Sequence, residues 1–485
     1  MPTFAEFLTI EQVERTHQAS LEILQNIGLL VHNSKAREIF SSNGCLVNSS
    51  SNLVKFPTEK IEELIKLVPP KFTFYGRDPK FDRTIPDDRP IIVTGSSAPN
   101  IIDPVSGKER RSRSDDIARI AYLVNELSGY DVFSISTLAE DAPSDLFTLT
   151  RLYPSVKNCS KPIRSNAPNM HDAEQLIRLG SLVAGSEENF LRRPFITTHF
   201  CPVVSPLTMD VDSTELLIFF TEKGLPVYPS IVPNGGLTSP MSMAGTLVQG
   251  NAEFLAAAAL MQMVRAGTPL IYSTLPTIAD MRTGAYASGG VECGMLHMGF
   301  AQMARYYNLP CGGYIGLTNS KVNDAQSGYE TGISTAGGLL SGVDMFNMAG
   351  LLDALKAFDY AKAVIDDEIA LMLKRMERGL EISEENLALE VISKVGPGGN
   401  FMMESSTMKW MKSTGLLTKI SDRDTREVWL QRSALDSHAK GWQRARQILS
   451  RPNPSVLSPE VEALIRTEFS GLVSGEATIP ENWLN

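Results

Sequence analysis

The sequence is short of cysteine, has no long apolar run and shows no leader-like start, and each shortage excludes a class of protein. Its five cysteines are scattered and form no CxxC pair, so a disulfide framework is not indicated. No run approaches the roughly 18 apolar residues that mark a membrane-spanning helix. The first residues have neither the basic region nor the apolar region of a secretory signal. We therefore expect a cytoplasmic protein with no membrane partner.

Positive charge is also in short supply. Lysine and arginine number 45 against 55 aspartate and glutamate residues, which gives a formal net charge of −10. Because such a surface repels phosphate, and because no basic patch with interleaved aromatic residues is present, we expect no nucleic-acid partner. The glycine-rich fingerprints of dinucleotide-binding and P-loop proteins are missing as well, and no serine–histidine–aspartate arrangement stands out.

A repeating pattern fills the middle of the chain, from residue 91 to about residue 369. Each repeat has a short apolar run, a polar loop that often contains proline or glycine, and a helical stretch. Strands that alternate with helices predict parallel βαβ units. Eight such units favour a closed (β/α)8 TIM barrel of the α/β class over an open doubly wound sheet. The predicted strands are 91–95, 131–136, 162–166, 195–201, 226–232, 269–275, 311–317 and 343–348.

This pattern divides the chain into three predicted parts. Residues 1–90 form an N-terminal helical segment, in which Thr9 and Gln12 make a capping-box pattern at the start of a helix. Residues 91–378 form the TIM barrel that would carry the function. Residues 379–485 form a C-terminal helical extension around a glycine-rich turn.

Polar and aromatic side chains follow the predicted strands at their carboxyl ends, where TIM barrels hold their functional residues. The set is rich in hydroxyls, amides and rings and poor in charge. It suits a small, permanently methylated cation, because such a cation has no N–H to donate and binds aromatic faces within about 6 Å. Packing in the core is the alternative role for each ring. The candidate binding residues are Asn166, His199, Tyr228, Tyr272 and Phe346.

Two histidines are spaced so that each could share a metal with a cysteine. His199 and Cys201 are two residues apart on one predicted strand, and Cys293 and His297 are four apart on a predicted helix. Neither pair has a recognisable third ligand, so we predict no metal site. Glu140 follows the second predicted strand, and together with His199 it could serve as acid and base in a TIM-barrel lyase or isomerase.

Three segments together resemble the trimethylamine methyltransferase (MttB) superfamily: QGNAE at 249–253, NSKVNDAQSGYE at 319–330 and VGPGGNF at 395–401. The resemblance runs over nearly the whole chain and is nearest to the glycine betaine methyltransferases that lack pyrrolysine. It implies a TIM barrel that passes one methyl group from a quaternary amine, with glycine betaine as the first choice, to Co(I) of a partner corrinoid protein. We expect a homo-oligomer with no tightly bound cofactor of its own.

The sequence departs from its relatives in that superfamily at two places. The founding trimethylamine enzymes contain pyrrolysine, which the resemblance places in the loop at 318–326. Every residue of that loop is standard here, and Gln326 joins the candidate binding set. Many relatives follow the glycine turn with histidines, where this chain has SSTMKW at 405–410. The roles of those histidines therefore do not carry over.

A DxHxxG sequence at 436–441 bears on the cofactor. Many proteins bind cobalamin through the histidine of this motif, which lies on a loop of a Rossmann-like domain. Here the motif falls inside a predicted helical segment at 425–449. We therefore interpret the match as chance and expect the corrinoid on a separate protein.

The chemistry that the resemblance implies needs few catalytic groups. Co(I) is a strong nucleophile and a quaternary ammonium already carries a neutral amine as leaving group, so positioning and exclusion of water are left to the protein. A substrate carboxylate would need donors, and the nearest by strand position are Arg164, Asn166, His199 and Arg282. Proline betaine, carnitine and simpler amines stay open as donors, as does a non-catalytic role in binding a quaternary amine.

Overall fold

The computed structural model describes residues 4–87, 89–453 and 457–484, and eight parallel strands lie at its centre. They are β1 (Ile91–Thr94), β2 (Phe133–Ser134), β3 (Ile163–Ser165), β4 (Ile196–Phe200), β5 (Val227–Ile231), β6 (Tyr272–Thr274), β7 (Cys311–Gly313) and β8 (Met345–Ala349). Their hydrogen-bonded order is β1-β8-β7-β6-β5-β4-β3-β2. Parallel bridges from Val93 to Val132 and from Ala98 to Thr137 join β1 to β2. The predicted closed barrel is therefore confirmed.

A helix follows each barrel strand. These helices are α1 (Ser114–Glu126), α2 (Phe147–Asn158), α3 (Met170–Ala184), α4 (Asp212–Glu222), α5 (Met243–Val264), α6 (Val291–Tyr306), α7 (Ala325–Leu340) and α8 (Tyr360–Glu377), with a short extra helix at Glu187–Arg192. Asn169, Asp324 and Asp359 cap α3, α7 and α8 by accepting from the backbone N–H three residues on. Among the described residues no helix has both the length and the apolar content to cross a membrane.

Successive residues of a barrel strand face opposite sides, and the two sides belong to different cores. In β8, Met345 lies in a cluster inside the barrel with Tyr228 and Ile271. Its neighbours Phe346 and Met348 lie in the larger core between the barrel and its helices. Because both faces of the strands are covered, they appear in the sequence as short apolar runs, which is why they could be located there.

The N-terminal segment, predicted to be helical, contains strands as well. Its helices are Ile10–Glu22, continued by a π-helical turn at Ile23–Ile27, then Ser34–Ser42 and Thr58–Ile65; its strands are Leu29–Val31, Leu46–Asn48, Leu53–Lys55, Phe72–Phe74 and Arg83–Ile85. Phe72 and Phe74 pack edge-on against Tyr228 and close the amino end of the barrel. The strand-like FTFYG run at 72–76 predicts the strand Phe72–Phe74. The other strands of three residues are too short to show a period, so the sequence pattern did not indicate them.

Short strands also build the loops at the carboxyl end of the barrel. They are Asn100–Ile102, Glu109–Arg111, Val203–Val204, Thr208–Met209, Asn234–Gly235, Thr277–Asp280, Ala285–Tyr286, Leu351–Leu352 and Ala357–Phe358. Asn234–Gly235, Thr277–Asp280 and Ala285–Tyr286 pair into one three-stranded sheet, which we call the rim sheet. The loops after β5 and β6 are thereby joined to each other beside the barrel opening.

The C-terminal extension has a packed part and an exposed part. Its helices are Glu384–Leu387, Leu389–Val395, Ser405–Trp410, Arg426–Gln431, Ser437–Leu449 and Pro459–Glu468. Ser437–Leu449 packs along α8, where a side chain at Gly441 would lie 2.8 Å from the Ala361 carbonyl. Asp436 caps this helix, so the DxHxxG sequence lies at a helix start and not in a Rossmann-like loop. Residues 380–417, in contrast, leave apolar side chains such as Leu380 and Met403 86% and 90% exposed.

Candidate substrate site at the carboxyl end of the barrel

A buried arginine stands at the centre of the barrel opening. Arg164, on β3, is only 1% exposed. Its Nε donates to Ser134 Oγ at 2.9 Å and its Nη2 donates to the Tyr314 hydroxyl at 2.9 Å. Nη1 makes no hydrogen bond of normal geometry among the described residues, and the Tyr228 hydroxyl is a further polar group that interacts with the guanidinium. No carboxylate of the described residues pairs with its guanidinium. The barrel therefore holds a buried positive charge with a free donor.

Aromatic rings surround this guanidinium. Its central carbon lies 5.1 Å from the Tyr314 ring centre and 5.9 Å from that of Tyr228. The His199 ring lies 5.8 Å from each of the two tyrosine rings, and its Nε2 shares a hydrogen bond of 3.1 Å with the Tyr314 hydroxyl. Burial first, and then the positive charge of Arg164, hold the pKa of His199 well below its usual range. His199 is therefore a neutral member of an aromatic cluster.

A second buried arginine lies beside the first. Arg151, on α2, donates from Nη1 to Asn166 Oδ1 at 2.9 Å and from Nη2 to Ser97 Oγ at 3.0 Å. Burial lowers its pKa to about 10, and no carboxylate of the described residues pairs with it. Ser97 has a φ of +63°, a strained conformation for a residue with a side chain, and its neighbour Ser96 contacts Arg164 Nη2. One turn after β1 thus serves both arginines.

Two unpaired buried cations make this part of the barrel electropositive. Removing an ionised group from water without a counter-charge is costly, and the cost falls when an anion binds beside it. The free Nη1 of Arg164 is a donor that such an anion would use. The arrangement therefore favours a ligand that carries a negative group, next to rings that suit a positive one.

Two of the aromatic residues predicted to bind substrate lie elsewhere. The Tyr272 hydroxyl donates to Asn251 Oδ1 at 2.6 Å, and its ring centre lies 3.9 Å from that of Phe254 on α5, with the two rings tilted by 34°. Phe346 points outward to α7, where a side chain at Gly338 would meet its ring at 3.2 Å. Both rings fill the core between the barrel and its helices, so we remove them from the candidate site. Strand position had suggested them, but the alternation of the strand turns them away.

The remaining predicted residues have mixed positions. Tyr228 and His199 lie in the aromatic cluster, and Asn166 is held there by Arg151. Gln326 lies on the first turn of α7 and donates to Glu330 Oε1 at 2.9 Å. Arg282 has 87% of its side chain exposed and pairs with Asp280 on the rim sheet. The structure thus brings Arg164, Asn166, His199 and Tyr228 together.

Three members of the site were missed by sequence reasoning: Tyr314, Arg151 and Tyr286. Tyr314 follows the observed end of β7, and its hydroxyl also lies 2.6 Å from Ser96 Oγ. Tyr286, on the rim sheet, packs against the apolar cluster that contains Tyr314. The alternation of Gly312 and Tyr314 along β7 was a signal for an inward ring, whereas nothing near Arg151 in the sequence distinguishes it from other helical arginines.

The residues considered for metal or acid–base chemistry have structural contacts instead. The His297 ring lies between Thr274 Oγ1 at 3.4 Å and the Tyr314 carbonyl at 3.1 Å, and burial lowers its pKa to about 4. Within the described residues no group of three metal-binding side chains comes together. Glu140 is exposed, and no hydrogen bond joins it to His199.

The QGNAE segment of α5 supports the site from behind. Glu253 is fully buried and accepts from Ser205 Oγ at 2.6 Å and from the Leu207 N–H at 2.9 Å. Asn251 Nδ2 donates to Ser20 on the N-terminal helix. Burial raises the pKa of Glu253, and the hydrogen bonds it accepts oppose that shift. This segment fixes the loop that follows His199 and attaches the N-terminal helix to the barrel.

Comparison with known proteins gives consistent matches over most of the chain. The family model described as trimethylamine methyltransferase (MTTB) matches residues 2–470. The trimethylamine methyltransferase MttB of Desulfitobacterium hafniense strain DCB-2 is 31% identical over 94% of this chain and 92% of its own. The glycine betaine methyltransferase of D. hafniense strain Y51 is 32% identical over 95% of both chains. This chain also aligns with the crystal structure of the monomethylamine methyltransferase of Methanosarcina barkeri, with a TM-score of 0.52 over 95% of this chain and 93% of the other. The sequence identity is 12%, so this match shows a shared fold.

Proposed function

The chain belongs to the trimethylamine methyltransferase family, and from that premise we propose that it transfers a methyl group from glycine betaine to Co(I) of a partner protein's corrinoid. The observation that carries the choice of donor is Arg164, a buried cation with no counter-charge and a free Nη1. Trimethylamine has no anionic group to place there. Glycine betaine has a carboxylate two bonds from its quaternary nitrogen.

The proposed binding mode places each charge of the zwitterion against a complementary group. The carboxylate accepts from Arg164 Nη1, and Asn166 adds a polar contact at the same side of the opening. The trimethylammonium group lies against the rings of His199, Tyr228 and Tyr314, of which the His199 ring is 5.8 Å from each tyrosine ring. Such a cation needs ring faces and no hydrogen-bond acceptor.

The proposed transfer is an in-line displacement that requires no acid or base. The electron pair of Co(I) forms the bond to the methyl carbon, and the pair of the broken C–N bond returns to nitrogen. The products are dimethylglycinate, whose nitrogen is now a neutral tertiary amine and whose carboxylate keeps its negative charge, and a methyl–cobalt(III) bond; no proton moves. A neutral His199 with a depressed pKa is compatible with this chemistry, in which the protein orients the donor and excludes water.

The acceptor is proposed to arrive on a separate protein. The DxHxxG sequence of this chain lies at the start of a helix, where His438 Nδ1 accepts from Asn323 Nδ2 at 3.0 Å. That setting supports a role in packing and not in holding a corrinoid. Proline betaine and carnitine carry the same two charges and are the alternative donors, whereas the exposure of Glu140 speaks against the lyase or isomerase alternative.

The test measures donor choice directly. Purified protein is mixed with chemically reduced cobalamin, and the loss of Co(I) absorbance is followed after adding glycine betaine, proline betaine, carnitine, choline or trimethylamine. We expect turnover with a betaine and none with trimethylamine. Turnover of trimethylamine at a rate comparable to the betaines would contradict the proposal, and so would silence with every donor when a known methyltransferase is active in the same assay.

A further inference from the structure

The loops after β5 and β6 carry a group of exposed apolar side chains at the barrel opening. Leu237, Met241 and Met281 are 57%, 52% and 61% exposed. Leu237 and Met241 lie on the loop after β5, and Met281 lies on the loop after β6. We call these three side chains the rim patch. Exposed methionines that cluster on one surface are typical of binding surfaces, because the thioether chain is flexible and polarizable.

The rim patch is built on an ordered turn. The Asn234 carbonyl accepts from the N–H groups of Leu237, Thr238 and Ser239, and the Gly236 N–H donates back to the Ser239 carbonyl. A side chain at Gly236 would lie 2.9 Å from Met241 Sδ and 3.1 Å from the Sδ of Met281. The two sulfur atoms from different loops therefore converge over one glycine, and the patch is a single surface.

The rim patch is continuous with the candidate substrate site. Asn234–Gly235 pairs with Thr277–Asp280, which pairs with Ala285–Tyr286, so the rim sheet connects the turn to Tyr286. Tyr286 packs against the cluster of Leu275, Tyr314 and Leu317 inside the opening. Met281 follows directly after the middle strand of that sheet. The patch thus borders the route by which a methyl acceptor would reach the site.

We propose that the rim patch is the docking surface for the corrinoid-bearing partner, an inference that rests on the proposed function. Displacement at the methyl carbon requires the cobalt to come within bonding distance of a donor held inside the barrel. A corrin ring is wider than that donor, so the protein around the ring must rest on the loops at the opening. The hairpin after β1 exposes mainly charged residues such as Lys108, Glu109 and Arg111, with Val105 as an exposed apolar side chain among them. The rim patch instead brings three exposed apolar side chains from two loops together on one surface, so we assign the apolar contact to it.

The chain offers a matched control at the opposite end of the molecule. Met376 is 46% exposed, close to the 52% of Met241, and it lies on the last turn of α8. Barrel helices run antiparallel to their strands, so the end of α8 is at the amino end of the barrel. A charge introduced at Met376 changes a similarly exposed methionine without touching the opening.

The experiment compares two acceptors. Free cob(I)alamin needs no protein docking, whereas the corrinoid protein that supports turnover by the unmodified enzyme does. The double variant Met241→Glu with Met281→Glu is expected to raise KM for the corrinoid protein at least tenfold, about 1.4 kcal/mol. Its rate with free cob(I)alamin is expected to stay within about twofold of the original. Met376→Glu should change neither value.

The outcomes separate docking from function. Activity of the unmodified enzyme with free cob(I)alamin tests the proposed function alone. An unchanged KM for the corrinoid protein in the double Glu variant would overturn the docking proposal while leaving the function in place. If the double Glu variant loses activity with both acceptors, the uncharged double variant Met241→Gln with Met281→Gln is measured instead. A KM for the corrinoid protein equal to that of the original enzyme would overturn the docking proposal. A rise in that KM without a change in the rate with free cob(I)alamin would support it.

Discussion

Replacement of Arg164 by methionine tests the proposed substrate site most directly. Methionine has a similar length and no charge, so it fills the space beside Tyr228 and Tyr314 while removing the donor to a carboxylate. A buried charge-assisted hydrogen bond is worth about 3 kcal/mol, which corresponds to a fall in kcat/KM for glycine betaine of about 150-fold. Because the carboxylate is held equally in ground and transition states, the loss is expected in KM rather than kcat.

The assay follows Co(I) absorbance with two donors. Choline carries the trimethylammonium group but no carboxylate. In Arg164→Met the ratio of kcat/KM for glycine betaine to kcat/KM for choline should therefore fall by about the same factor as kcat/KM for glycine betaine itself. Glycine betaine should raise the melting temperature of the original protein and not that of the variant. Arg178→Met is the control, because Arg178 is exposed and pairs with Glu468 on the outer surface.

Two results would refute the argument from Arg164. One is a folded variant whose kcat/KM for glycine betaine stays within about threefold of the original. Because 1.4 kcal/mol corresponds to a factor of ten, so small a change would fall far short of the expected loss. The other is an equal loss with choline and glycine betaine, which would show that Arg164 shapes the barrel and does not recognise the carboxylate. Without ligand, the variant should be at least as stable as the original, because an unpaired buried charge has been removed.

The remaining predictions concern four other features. Tyr228→Leu should lower kcat/KM about 30-fold, because a desolvated cation–ring contact is worth about 2 kcal/mol, whereas Tyr272→Leu should lower the melting temperature and leave KM near its original value. Burial raises the pKa of Asp344 to about 6, so the folded state holds this proton more tightly than the unfolded chain does. The free energy of unfolding should therefore fall by up to about 3 kcal/mol as the pH rises from 4 to 6. Denaturant titrations of Asp344→Asn should show a smaller dependence of that free energy on pH. His438→Ala should leave methyl transfer unchanged, and the purified protein mixed with hydroxocobalamin should retain little corrinoid after desalting. Light scattering should show a homo-oligomer whose mass falls in Met403→Glu, because a side chain 90% exposed in an apolar segment is expected to be covered by another subunit.

The barrel was predictable because its strands are covered on both faces. Buried runs such as Ile91–Thr94 stand out between polar loops, and several of the helices that follow have a capping residue, such as Asp324 before α7. The N-terminal sheet was not predictable, since Leu29–Val31 gains its register from Thr208–Met209, which lies far along the chain. A pairing of that kind is decided by tertiary packing and not by local sequence.

The substrate site was predictable in part, and the failures have one cause. Sequence located the carboxyl ends of the strands but not which side chains of each strand face inward. Tyr272 and Tyr228 occupy similar strand positions, yet Tyr228 points into the barrel and Tyr272 into the helical layer. A shift of one residue in the assumed strand phase moves every side chain to the other face. Tyr314 was missed for the same reason, although its hydroxyl touches three other members of the site.

The unpaired Arg164 also explains how this site would reject trimethylamine. At neutral pH trimethylamine is protonated, so it carries one positive charge and nothing negative. The guanidinium lies 5.1 Å from the Tyr314 ring centre. A second cation on the opposite face of that ring would stand on the order of 10 Å from the guanidinium, where like charges repel by roughly 2 kcal/mol at the effective dielectric of a protein interior. Glycine betaine brings a carboxylate that lies between the two cations and converts that repulsion into attraction. One buried arginine therefore gives selectivity in both directions, for the betaine and against the simple amine. Arg164→Met should accordingly lose glycine betaine turnover and, under the same conditions, become more tolerant of donors that carry a positive charge alone.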